Sequence, residues 1–210
     1  MPQWALQPIG PEPRPPRPLA PSSAGDDQSP DPPLPSDALR EAARRGVLVH
    51  KLLERLPETP EAERRAVGAR WLAKNAAGLD EAARDTILAS ALAVLSHADW
   101  RDLFAPGGLA EVPIAAVVGG QVVSGTIDRL LVEPDRIRLV DFKTARRPPA
   151  DLSEVPLATL RQLAAYAAAL AAAYPGRAIE AAVLYTATPQ LIVLPAALLA
   201  EHKRALLAAE

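Results

Sequence analysis

Asp128, Asp141 and Lys143 interrupt the stretch GTIDRLLVEPDRIRLVDFKT, residues 125–144, which otherwise reads as two apolar strands. Strand alternation sets Asp141 and Lys143 on one face and Val140 and Phe142 on the other. If the two strands pair, Asp128 comes alongside Asp141, and two like charges in a partly buried sheet repel unless a cation sits between them. Oxygen ligands with positions left for water and a phosphate suit Mg²⁺ or Mn²⁺. Beside such an ion, Lys143 can lower the pKa of an attacking water or neutralise charge that builds on a phosphorane-like transition state. A plainer reading stands next to this one: Asp128 pairs with Arg129 or Arg138, and Lys143 snorkels at a strand end.

Further residues add to the pattern. Leu39, Ala43, Gly46, His50 and Leu53 follow steps of four and three, so His50 is expected on the buried stripe of a helix, as a core residue or as a neutral imidazole ligand. Glu111 opens the apolar run LAEVPIAAVV, either as a strand-end surface charge or as one more acid for the site. Gln162 and Tyr166 lie four apart in TLRQLAAYAAAL, on one face of a helix whose alanines permit close approach.

The elements that must position these residues are punctuated clearly. SDALREAARRGVLVHKLLERLP predicts a first helix ending at Pro57, and Thr59-Pro60 and Asp80 open helices over about 60–76 and 81–96, the former closed by Gly78. The period then changes to two. Strands are expected at 109–118, 121–132 and 136–143, with Gly119-Gly120 as a hairpin turn between the first two. A helix at about 156–173, strands at 178–187 and 190–194, and a helix from Pro195 onward complete the set. The fold class expected is α/β, a small mixed central sheet flanked by helices with an N-terminal helical part.

Twelve of the 23 prolines fall in residues 1–37, so 1–36 are expected to form an extended arm or linker ahead of a domain over 37–210. A linker in that place suggests a domain upstream, although a free arm fits as well. With 23 basic and 25 acidic side chains, the net charge of −2 offers no general attraction to nucleic acid or to an anionic membrane, and any such binding must be local. Cysteine is absent, which excludes disulfides, thiolate zinc sites, iron–sulfur clusters and cysteine nucleophiles. MPQWALQPIG is not a signal peptide and no apolar run is long enough to span a bilayer, so a cytoplasmic protein without membrane contact is expected. No G-x-x-x-x-G-K-[ST] occurs, so the chain has no ATP site of that kind.

Taken in order, GVLVHKLLERLP, the Glu111 strand, GTIDRLL, VDFKT and QLAAY resemble the motif series of the RecB-type nucleases in the PD-(D/E)XK superfamily. The likeness is strongest to the C-terminal nuclease domain of AddA helicase–nuclease subunits and runs from about Ala38 onward. The pieces WALQP and PRPLAPSS resemble the segment joining that domain to the helicase part. The resemblance implies a restriction-endonuclease-like core in which His50, Asp128, Asp141 and the backbone carbonyl of Phe142 bind Mg²⁺ or Mn²⁺. Lys143 would orient or activate the attacking water, Glu111 would contribute through water, and Gln162 and Tyr166 would brace the site and touch DNA. Arg129, Arg146, Arg147 and Arg161 are candidate DNA contacts, or plain surface charge. The implied reaction is phosphodiester hydrolysis on a 3′-ended single DNA strand in double-strand-break repair and recombination, with a helicase part and an AddB-like subunit as partners. The competing expectations are a catalytically silent nuclease fold that serves as a DNA-binding or scaffold module, and a stand-alone exonuclease.

Overall fold

A computed structural model describes residues 36–145 and 147–207. The arm expected over 1–36, Ser36 excepted, lies outside them, as does Arg146. Helices α1 (Ser36–Arg55), α2 (Glu61–Asn75) and α3 (Glu81–Leu95) come first, followed by a 3₁₀ segment, Ala98–Phe104. Then come β1 (Leu109–Val118), β2 (Gln121–Val132), β3 (Arg136–Lys143), α4 (Leu157–Ala173), β4 (Ala178–Tyr185), β5 (Gln190–Leu194) and α5 (Ala196–Leu207). The strands form one sheet in chain order, antiparallel throughout except for the parallel pair β3 and β4. A parallel pair needs a crossover, and α4 supplies it. The result is the expected small mixed sheet between helices.

Local chemistry explains the boundaries. Asp80 accepts the amide of Ala83 at 2.8 Å and so caps α3. Gly119 and Gly120, with φ of 57° and 87°, make the β1–β2 turn that only residues tolerant of positive φ adopt readily. No helix among the described residues is long and apolar enough to cross a membrane.

Each sheet face carries its own core. Ile127, Leu130, Ile137, Leu139 and Val183 pack with α4, whereas Leu131, Val140, Phe142 and Leu184 pack with α1, α3 and the 3₁₀ segment. That segment was not foreseen in the sequence, yet it buries Trp100, Leu103 and Phe104 as a lid on the second core. The expected buried stripe of α1 holds only in its lower half. Gly46 and Leu53 are buried, but Ala43 is exposed and Leu39 is 53% exposed, because the first turns of α1 run beyond the sheet.

The alternation of β2 breaks at one place. Ile127 and Leu130, three apart, both face the α4 core, while Arg129 between them turns to Phe104 on the opposite side. In β1, Glu111 has φ of 51°, and it falls between the pairs Ala110↔Arg129 and Val112↔Ile127. Both strands are therefore kinked at the level where Glu111 faces Asp128, as a bulge does when it re-aims side chains. The β2–β3 ladder also stops here, at Arg129↔Val140. This creates a notch in the sheet.

Candidate functional site

The notch is lined by the residues that the sequence singled out. With the ladder ended, the next amide of β3, that of Phe142, donates to Asp128 Oδ2 at 2.6 Å. The other oxygen, Oδ1, lies 3.4 Å from Nδ1 of His50 on α1. Asp128 therefore pairs with neither Arg129 nor Arg138. The His50 ring stands edge-on to Phe142, with ring centres 5.6 Å apart, which fixes its orientation. Glu111 completes the group: His50, Glu111 and Asp128 each offer a ligand atom, and all three atoms lie within 4.8 Å of one another. Ligands at about 2.1 Å from a small divalent ion stand roughly 3 Å apart when adjacent, so this mixed nitrogen and oxygen set would close around such an ion once the side chains draw in. Glu111, expected to act through water, stands in this cluster, and Asp141 stands beside it.

Asp141 is 5% exposed and sits on the α4 side of β3 with Lys143, as alternation required. Gln162 of α4 joins the pair, donating to Asp141 Oδ1 at 3.0 Å and accepting from Lys143 Nζ at 3.0 Å. Lys143 Nζ is 3.1 Å from Asp141 Oδ2. Burial pushes the Asp141 carboxyl up to about 6; the Lys143 ammonium opposes the shift and the Asp128 charge reinforces it. On His50, burial pulls the imidazole down, yet the hydrogen bond to Asp128 and the charges of Asp128, Asp141 and Glu111 outweigh it, and the net direction is up. Burial in the case of Asp141, and the neighbouring carboxylates in the case of His50, move the two groups toward the protonated form.

Tyr166 is 1% exposed, and its ring lies over Gly125, where any Cβ would collide with the hydroxyl. With Gln162 also buried, both residues brace the site from beneath, and neither presents a surface to DNA in this conformation. Arg129 is 3% exposed, donates to the carbonyls of Leu103 at 2.7 Å and Ala105 at 3.4 Å, and covers the Phe104 ring. It anchors the 3₁₀ lid and offers little surface to solvent, whereas Arg147 and Arg161 are exposed. A residue the sequence reading passed over is Lys51. Its ammonium lies 3.6 Å from Glu111 and 2.6 Å from Glu54, and its place next to His50 was the available signal.

The model of the PD-(D/E)XK nuclease superfamily matches residues 26–207. The chain belongs to that superfamily. Among solved structures, this PD-(D/E)XK chain resembles a protein from Eubacterium rectale designated an exonuclease by inference, with a TM-score of 0.54 and 11% identity. The match covers 79% of this chain and 64% of that one, so this chain spans less than two thirds of its length. A crystal structure of SSO0001 matches at 17% identity and a TM-score of 0.30, over 83% of this chain and 89% of that one. No curated protein sequence matches significantly.

Proposed function

We propose that this PD-(D/E)XK chain is a divalent-metal-dependent deoxyribonuclease that hydrolyses single-stranded DNA. The observation that carries this reading is the notch itself, where breaks in two strands bring His50, Glu111 and Asp128 together beside the Asp141–Lys143–Gln162 triad. His50, Glu111 and Asp128 would hold Mg²⁺ or Mn²⁺, joined by Asp141 and the Phe142 carbonyl as the carboxylates adjust. The ion would act as a Lewis acid toward the scissile phosphate and shield its developing charge. Gln162 and Asp141 fix the Lys143 ammonium from two sides, so Lys143 orients the attacking water or meets the charge on a non-bridging oxygen at little further reorganisation. Phe142 and Phe104, with ring centres 6.1 Å apart, make the dry floor under these groups.

The motif order and the proline-rich residues 1–36 support placement in an AddA-type helicase–nuclease, with a helicase part upstream, an AddB-like partner, a 3′-ended strand as substrate and a cytoplasmic role in break repair. Of the candidate arginines among the described residues, Arg147 and Arg161 are exposed and would contact the strand. The test is product mapping on single- and double-stranded DNA labelled at either end, in Mg²⁺. Preferential cutting of the single strand supports the reading, and preferential cutting of duplex contradicts it.

A further inference from the structure

A groove of about 450 Å³ opens beside the notch, and its lining includes Phe142 and Lys143. Leu39 and Ala43 contribute from α1, Ala145 and Pro149 from the loop after β3, and Pro156 from the start of α4. These α1 residues are the upper half of the apolar stripe that the fold leaves uncovered. Lys143, which is paired with Asp141, and Arg147 line the groove, and no acidic residue does among the described residues. Its walls are mostly apolar, with the hydroxyl-bearing Thr144, Thr159 and Tyr185 among them, which suits a flat ring and a sugar. A cationic end that joins a hydrolytic notch, with apolar walls beyond it, matches a polyanion with apolar appendages better than a peptide.

We propose that this groove seats the sugar and base of the nucleotide next to the phosphate being cut. The proposal rests on the nuclease reading of the notch. An unpaired strand can turn one base into a groove of this size, whereas a stacked duplex cannot present it, so the groove would also favour single strands.

Binding of fluorescein-labelled oligothymidylate in Ca²⁺, followed by anisotropy, tests it without any need for cutting. Ala43 and Leu39 are exposed, so Ala43→Trp, which fills the groove, and Leu39→Glu, which adds an anion to it, can both fold, as circular dichroism would verify. Contacts to one base are worth about 1–3 kcal/mol, so each variant should bind the oligonucleotide about tenfold more weakly or worse. Mn²⁺ binding by calorimetry should be unchanged in both. Unchanged oligonucleotide binding in both variants overturns the proposal, and so does a Trp variant destabilised with unchanged binding, which would assign the groove to part of the chain itself. Failure of the nuclease reading shows separately, as absence of metal-dependent cutting by the wild type.

Discussion

Asp128 Oδ2 accepts the Phe142 amide at 2.6 Å at the point where β2 and β3 part. A side chain thus takes the place of a ladder acceptor, and the carboxylate that is proposed to bind metal also holds the sheet open around it. Metal-site geometry and sheet integrity are joined in one residue.

Asp128→Ala should therefore destabilise the protein as well as silence it. A largely buried amide left without its acceptor costs about 1–3 kcal/mol. Asp128→Asn retains an acceptor oxygen for that amide, so urea melts should place it near the wild type while calorimetry shows weakened Mn²⁺ binding.

The buried Asp141 should set stability against activity. Its folded pKa, about 6, lies above the ordinary 3.8, so its favourable contribution is full below about pH 3.8 and is lost as pH rises through about 6. Metal-free Asp141→Asn should accordingly gain stability over the wild type at pH 7.5, by roughly 1–3 kcal/mol, and the gain should shrink at pH 5. Thermal melts in EDTA at the two pH values measure this.

Metal binding should release a proton from His50, whose pKa is raised above 6.5 by its acidic neighbours. Mn²⁺ affinity should fall up to about tenfold for each pH unit below that pKa. Calorimetry in two buffers of different ionisation enthalpy reads the proton directly. His50→Ala should bind more weakly and lose much of the pH dependence.

Gln162 and Tyr166 should behave differently despite sharing a helix face. Gln162→Ala frees Lys143 from one of its restraints and should lower kcat by tenfold or more, with KM for DNA little changed. The Tyr166 hydroxyl is buried and makes no hydrogen bond among the described residues, so Tyr166→Phe should be neutral or slightly stabilising and should keep its activity. Steady-state cleavage rates and thermal melts of the two variants separate the roles.

Arg129→Met should cost stability, about 2–4 kcal/mol, by releasing the 3₁₀ lid, while the salt dependence of DNA binding stays as it was. Arg161→Met should do the reverse, flattening the salt slope and leaving the urea midpoint in place.

Element order was legible because turns and caps announce themselves: Asp80, Gly119-Gly120 and Pro195 each mark a boundary found within a residue or two. The site residues on regular structure, Asp141, Lys143 and Gln162, were legible through their periodicity. What escaped lies where periodicity fails. Alternation cannot foresee the kink at Glu111 and Asp128, which moves Glu111 into the cluster and turns Arg129 inward. Nor does a helical stripe show where its sheet ends, and that is why Leu39 and Ala43 line a groove where a core was expected. The 98–104 segment has too few turns for any period to register, and its burial comes from tertiary packing.

The most direct measurement is cleavage of end-labelled single-stranded DNA by the purified chain in Mg²⁺, in Mn²⁺ and in EDTA, beside Asp141→Ala confirmed as folded by circular dichroism. A metal-dependent nuclease built on this notch cuts with either ion, stops in EDTA and is silent in the variant. Cutting that persists in the variant or in EDTA, or a wild type that neither cuts nor binds Mn²⁺, would contradict it.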